Sequence, residues 1–519
     1  MPTTSNPSRS NFLGSLFLTL LAILYCLPAL TAPYWGDNDG WSNLLPVIHY
    51  RVSILDEHTL PLFTNLWYGG RTQWQNPLWN FLYFPATLIW LVASLAWGTR
   101  IVLAGHLIFS LLAAKKLASL FLDNEISRIC AAVVLVSPML PSLLAVHFEK
   151  ILGWGWILLS IYFLLNERYP LLRRGFYSGL CWGVVALAGD NYHVLYLGIL
   201  LFPLASSFKK KKLLLSLLGG ASIGLLHLPG VWYLVGQARS NPIESIPLWS
   251  MNLLGVFTSL TTGFASPISW ETMALIGVPV FYLFLRSLYL DLLKLCGGHP
   301  DEYRRQKAAL LLSLVILTLM AIGFLYKGHH LLDTFRVPAR AISLMATIVT
   351  LYGMISLKGV SRQQKFRPGL FWIASALQIA LFSIYVIQPT GSQHSPYDPQ
   401  ARQLAGFLKA ENASSVWISG THLSDMYIDV ALTQNGISLP NAYYGDMGQD
   451  VTVNGAHCGY SFDHLISLSE NNGGATIELE SAISSRALAS MPLNDLQHIK
   501  RVTLNSKSYD IFRVVCDLE

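Results

Sequence analysis

Hydrophobic and polar positions separate into long blocks along this chain, rather than alternating at the short periods of a water-soluble fold. Twelve predominantly apolar runs stand out: 12–32, 78–97, 100–118, 126–146, 151–165, 175–189, 193–207, 213–235, 271–290, 308–326, 339–357 and 370–388. A helix that crosses a bilayer needs about 20 mostly apolar residues. The pattern therefore predicts a polytopic α-helical membrane protein. The first run follows a short polar start that contains Arg9, and Leu30-Thr31-Ala32 makes a poor signal-cleavage site, so it reads as an anchor. Two polar regions remain, 33–77 and 389–519. In the second, 399–411 reads as an amphipathic helix, Val416-Trp417-Ile418 as a strand, and 500–515 as a hairpin turning at Asn505-Ser506. This predicts a small α/β domain.

Composition narrows the class. Hydrophobic residues make up 53% of the chain and charged ones 12%, with a mean hydropathy of +0.44. Soluble domains carry roughly 25% charged residues, so a soluble enzyme is excluded. Six cysteines are too few for a disulfide scaffold, and none sits at zinc-site spacing with histidine. There is no glycine-rich phosphate loop, which leaves nucleotide binding without support. The formal charge of +6 is read by location, not as a sign of nucleic-acid binding.

Location is informative. Nineteen Lys and Arg residues fall at Arg9, 115–128, 168–174, 209–212, 294–307 and 358–367. Positive residues resist translocation. All nineteen share the cytoplasmic side if the 78–97 run does not span. That run carries Trp79, Tyr83, Trp90 and Trp97 and is interrupted by Pro85, features of a helix lying in the interface. About eleven spans remain, with the N-terminus in the cytoplasm. The chain then divides into a membrane domain, 1–388, with a first outer loop at 33–99, and an extracytoplasmic domain, 389–519. The outward loops hold only eight basic residues: Arg51, Arg71, Arg100, Lys150, Arg239, Lys327, Arg336 and Arg340.

Carboxylates close to a membrane are costly and usually mark function. Gly36-Asp37-Asn38-Asp39-Gly40 opens the first outer loop. Two carboxylates one residue apart suit a divalent cation, or place one of them as a general base. The same five residues also make a good solvated turn. The loop continues through His49, Arg51, Asp56, Glu57 and His58 to Leu60-Pro61, Trp67, Gly69-Gly70 and Asn76-Pro77-Leu78.

This succession resembles the first outer loop of membrane glycosyltransferases of the GT-C fold, in particular the YfhO-like and protein-mannosyltransferase-like branches. The resemblance covers 33–97 by motif and 98–388 by topology. It implies transfer of a sugar from a polyprenyl-phosphate carrier to a lipid, glycan or protein acceptor at the outer face of the cytoplasmic membrane, without nucleic acid. It implies a loop carboxylate as base. Asp39 fits the family spacing to Leu60-Pro61 better than Asp37 does, and the doubled acid is a departure from the family pattern. No cofactor is certain, and a divalent cation held by Asp37 and Asp39 is the alternative to a lone base.

A departing phosphate needs positive charge. Lys327, Arg336 and Arg340 lie in one outer stretch before a span, where YfhO-like proteins have a similar Arg-x-Pro-x-Arg segment. Arginine offers a planar fork of donors to a phosphodiester, and snorkelling to lipid headgroups is the plain alternative. His49, Glu57, His58, His147, Glu149 and Asp190 are further candidates to line the cavity. Asp190 also reads as a helix cap. Cys458 and Cys516 share the outer domain, where a disulfide or two buried thiols are equally compatible with spacing. A transporter or flippase of a lipid-linked intermediate, and a non-catalytic envelope-assembly protein, are the competing functions. Acids gathered at one interface favour transfer over transport.

Overall fold

A computed structural model describes residues 7–31, 44–64, 71–72, 80–144, 148–229, 232, 250–263, 273–296, 303–326, 338–360, 369–386, 399–414, 416–419, 431–432, 437, 464–469, 496–504 and 507–514. The chain divides into two compact units, Met1–Thr31 with Pro77–Pro389, and Ala32–Asn76 with Thr390–Glu519.

The first unit is helical, and every apolar run of the sequence contains a helix. In order these are α1 (Pro7–Thr31), then, after α2 of the second unit, α3 (Phe84–Val92), α4 (Leu95–Ala118), α5 (Glu125–Val136), α6 (Leu140–Leu144), α7 (Phe148–Leu165) and α8 (Leu171–Leu187). They continue with α9 (Asn191–Ser207), α10 (Lys211–Ala221), α11 (Leu253–Thr262), α12 (Val278–Cys296), α13 (Arg304–Ala321), α14 (Ile342–Val360) and α15 (Gly369–Val386). Among the described residues, four segments are long and apolar enough to cross a membrane: Leu95–Ala118, Glu125–Ser142, Phe148–Leu165 and Ala339–Leu357. Shorter apolar helices lie at Phe12–Leu27, Leu253–Thr262 and Gly369–Ser383. The protein is a membrane protein.

Among the described residues of the 78–97 run, the last three begin α4 and α3 has nine residues, about 13 Å of helix at 1.5 Å per residue. That length cannot cross a hydrocarbon core of about 30 Å. Pro85 sits in its first turn, and Ser94 caps the next helix by accepting from the Trp97 amide. Consequently α4 starts at Leu95, and Arg100, expected in a loop, lies in its second turn with the guanidinium 5.0 Å from the Trp97 ring. The 126–146 run is not one helix. Pro138 and Pro141 each remove an amide donor, and a 3-10 turn at Ser137–Met139 separates α5 from α6. The 271–290 run starts its helix late, at Val278, and α11 occupies a stretch expected to be loop.

Glycine sets the closest helix pair. Gly175, Gly179 and Gly183 repeat every four residues on α8 and meet the Leu213, Leu217 and Ala221 carbonyls of α10, while Gly220 of α10 faces the Phe176 carbonyl of α8. A Cβ on Gly175 would lie 2.6 Å from the Leu213 carbonyl oxygen, and one on Gly179 would overlap that of Leu217. Small residues let backbones touch where lipid offers no hydrophobic drive. At the centre of the unit, α14 buries Ile342, Leu344, Met345, Ile348 and Leu351, all fully enclosed. Outward faces stay apolar, as at Phe12, Leu16 and Leu20 on α1, which are 66%, 43% and 51% exposed.

In the second unit, α2 (Leu45–Arg51) runs into a π-helical turn, Val52–Asp56, and a short antiparallel pair joins β1 (Phe63–Thr64) to β2 (Arg71–Thr72). Further along lie α16 (Pro399–Ala410), β3 (Val416–Ser419), β4 (His464–Ser469), β5 (Leu496–Leu504) and β6 (Lys507–Val514). The sheet order is β3-β4-β6-β5, with β3 and β4 parallel and the other pairs antiparallel. Leu504 pairs with Lys507, which fits a two-residue turn, and a bulge interrupts β5 between His498 and Lys500. The helix buries Ala401, Leu404, Ala405 and Leu408, an i, i+3, i+4, i+7 stripe.

Candidate functional site

The helix ends of the first unit separate chemically. At one end lie the first turns of α7, α9 and α14, and at this end charge is buried. Glu149 and Lys150, in the first turn of α7, are 8% and 3% exposed. Asp190, Asn191 and His193, at the start of α9, are 1%, 7% and 1% exposed.

Each group is placed by local rules. Gly189, at φ 84°, ends α8 in the left-handed region that glycine tolerates. The chain then turns at once into α9. Asp190 caps α9, its Oδ1 accepting from the His193 amide at 3.1 Å. The cap expected from the sequence is therefore present, and it does more. The same Oδ1 lies 2.8 Å from His193 Nδ1. Asp190 Oδ2 is buried without a hydrogen-bond partner. It rests over Gly153 of α7, where a Cβ would come within 3.2 Å of it. Trp154, edge-on to His193 at 5.6 Å, donates its indole N–H to the Leu135 carbonyl at 3.0 Å.

The chain of contacts reaches α14. His193 Nε2 lies 2.7 Å from Ser343 Oγ, and Ser343 donates its hydroxyl to the Arg340 carbonyl at 2.8 Å. A serine has one proton to give. With that proton on the Arg340 carbonyl, Nε2 is the donor to Ser343. Arg340 lies in the 3-10 turn Pro338–Ala341 that leads into α14. Its guanidinium stacks over the Tyr192 ring at 4.4 Å and stands 4.0 Å from Glu149 Oε1. Its side chain keeps 15% exposure, so a ligand can still reach it.

Of the residues proposed from sequence, the structure thus brings Glu149, Asp190 and Arg340 together. His49, Glu57 and His58 belong to the second unit. His49 is 2% exposed, its Nδ1 is 3.3 Å from Ser53 Oγ, and burial pushes its pKa down to about 4, so it is neutral at pH 7. Glu57 and His58 are exposed at the end of the π turn, with His58 at φ 55°. Asp37, Asp39, His147, Lys327, Arg336, Cys458 and Cys516 lie outside the described residues. Among the described residues no group of three His, Cys, Asp or Glu side chains is arranged to hold a metal ion. The sequence placed His193 in the Asp190-Asn191-Tyr192-His193 group at the outer edge without singling it out, and Ser343 was missed. The Asp-x-x-His spacing at a helix start was a signal for the first. Nothing local signals Ser343, 150 residues away.

No sequence-family model matches the chain, and no curated protein matches it in sequence. Solved structures do. The arabinofuranosyltransferase AftD from Mycobacteria superposes with a TM-score of 0.50 at 13% identity, over 98% of this chain and 42% of AftD. The chain has a GT-C fold. The Archaeoglobus fulgidus oligosaccharyltransferase in its apo form gives 0.49 at 12% identity, over 85% of this chain and 65% of that one. The oligosaccharyltransferase AglB of the same organism, solved with an inhibitory peptide and a dolichol-phosphate, gives 0.44 at 13% identity, over 88% of this chain and 69% of AglB. The chain thus spans less than two thirds of the first two structures it matches. At such identities the shared property is the GT-C fold.

Proposed function

We propose that this GT-C protein is a glycosyltransferase that moves a sugar from a polyprenyl-phosphate carrier to an acceptor at the outer face of the cytoplasmic membrane. Its N-terminus is cytoplasmic and residues 389–519 are extracytoplasmic. The observation that carries the reading is the buried group around Arg340. A guanidinium fixed by Tyr192 and Glu149 lies at the opposite end of the bundle from most of the Lys and Arg residues. The positive-inside rule puts the Lys/Arg-rich end in the cytoplasm, which sends Arg340 outward. AglB, similar in fold, has been solved with a dolichol-phosphate, and that ligand class suits an arginine fork.

In the proposed reaction the acceptor oxygen bonds to the anomeric carbon as the bond from that carbon to the carrier phosphate oxygen breaks. The acceptor proton goes to the Asp39 carboxylate, and the bonding pair leaves on the phosphate. Arg340, with Arg336 and Lys327, balances that charge. Asp37 is either a bystander or, with Asp39, a ligand of a divalent cation.

The test is sugar transfer from a polyprenyl-phosphate-linked donor by purified full-length protein. Asn matches Asp in size but accepts no proton, so Asp39→Asn lowers turnover by about 10²–10⁴-fold, the range of positioned general bases. A milder Asp37→Asn and indifference to chelator identify a lone base. Equal loss in both variants, together with chelator sensitivity, identifies a cation site. Wild-type turnover in both removes the loop from the chemistry. Translocation of the intact lipid-linked donor without transfer would establish the transporter reading instead.

A further inference from the structure

The other end of the helical unit contains a cavity of about 770 Å³ that takes no part in the proposed chemistry. The end of α4, the start of α5, the ends of α7 and α9 and the start of α13 meet there. Four cations line it, Lys115, Lys116, Arg128 and Arg168, against one lining carboxylate, Glu167. Two of the four are committed to the fold. Lys115 Nζ lies 2.6 Å from Glu125 Oε1 and donates to Ser15 Oγ at 3.0 Å. Arg128 donates to the Leu122 carbonyl at 2.6 Å and stands 3.4 Å from Glu125.

The other two are not. Lys116 and Arg168 are exposed. The Lys116 ammonium lies 5.1 Å from the Tyr162 ring centre, a contact that leaves its three N–H donors available. The Arg168 guanidinium has no hydrogen bond or ion pair among the described residues. Gln306 also lines the cavity, and its Oε1, buried without a hydrogen-bond partner, would accept from a headgroup hydroxyl rather than from a phosphate oxygen. Leu112, Phe121 and Leu165 supply an apolar surface beside these groups.

We propose that this cavity binds the phosphate headgroup of an anionic membrane lipid. Its volume falls within the range of about 300–1,000 Å³ typical of small-molecule sites. Cations and apolar side chains lining one cavity, at the ends of membrane helices, match a phosphate joined to a lipid backbone. A soluble phosphate would leave the apolar side chains unused. The positive-inside argument places the cavity in the cytoplasmic leaflet, the leaflet rich in anionic lipid. The site is independent of the sugar-transfer reading.

The experiment uses the full-length chain in a neutral detergent, with phosphatidylglycerol, phosphatidylcholine and glycerol 3-phosphate as separate probes. Thermal unfolding reports stabilisation, and native mass spectrometry reports retained lipid independently of stability. Phosphatidylglycerol raises the unfolding temperature saturably, and phosphatidylcholine does not. The double variant Lys116→Ala/Arg168→Ala unfolds at the wild-type temperature without lipid. It binds phosphatidylglycerol about ten-fold or more weakly, the loss expected for a charge-assisted hydrogen bond. Lys211→Ala/Lys212→Ala, in a basic run outside the cavity, retains wild-type binding. Equal stabilisation by glycerol 3-phosphate overturns the lipid source in favour of a soluble phosphate. Equal retention of both lipids, wild-type binding by the cavity variant, or equal loss in the control variant overturns the site itself.

Discussion

The two ends of the helical unit pair their charges differently. Around Asp190 the polar groups are enclosed and linked in series: Asp190 and His193 keep 2% and 1% side-chain exposure, and the chain of contacts runs on to Ser343 and Arg340. Around Lys115 the cations are numerous: Lys115 and Arg128 keep 10% and 21% side-chain exposure and share Glu125, while Lys116 and Arg168 are exposed. A dedicated buried pair is fragile, because removing one member strands the other in low dielectric. A shared, partly solvated pair tolerates a loss. The first arrangement suits a site whose geometry has to be fixed. The second suits a surface that meets headgroups.

The largest expected effect breaks the enclosed end. His193→Ala removes the imidazole that links Asp190 to Ser343, leaving Asp190 only the residue-193 amide and Ser343 only the Arg340 carbonyl, and lowers unfolding stability by about 3–5 kcal/mol, the cost of splitting a buried pair. Lys115→Met at the other end leaves Glu125 with Arg128 and lowers stability by less than His193→Ala does. Denaturation of both variants in the same detergent measures the contrast, and equal losses would dissolve it.

A smaller effect separates binding from folding. Arg340→Ala weakens donor binding by about 1.5–3 kcal/mol, the scale of a hydrogen bond to a charged group. Lys116→Ala leaves donor binding unchanged. Titration with a polyprenyl-phosphate sugar reads both. A wild-type titration curve for Arg340→Ala would take the guanidinium out of the donor site, even if the protein unfolds earlier.

The smallest effect extends the contrast to the second unit. Burial lowers the His49 pKa from its ordinary 6.5 to about 4. Between those values the unfolded chain binds more protons than the folded one, so stability is present above pH 6.5 and is lost as pH falls toward 4. Hydrogen exchange across 44–64 should speed up through that window, and His49→Gln should flatten the dependence. Exchange indifferent to pH in the native protein would show that His49 does not titrate on unfolding.

Much of this was legible along the chain. Apolar runs located a helix for each predicted element, and Pro85 with the aromatic belt marked a run that holds no spanning helix. The Asp190 cap and the tail helix over Pro399–Ala410 follow from local patterns that need no partner. The Gly175, Gly179, Gly183 repeat was equally visible and was passed over, although its spacing alone signals a close helix pair. Breaks within runs were harder, because Pro138 and Pro141 interrupt a stretch whose hydropathy does not change.

By itself the sequence determined which segments are helical and apolar, which ends carry positive charge, and which acids lie near those ends. These are properties of composition and short-range periodicity. Only the tertiary structure decided that Glu149, Tyr192 and Arg340 form one group, that His193 bridges Asp190 to Ser343, and that Lys116 and Arg168 face a common cavity. Partners 150 residues apart leave no mark in a local pattern. They meet because the helices that carry them pack side by side, and packing is a property of the whole unit.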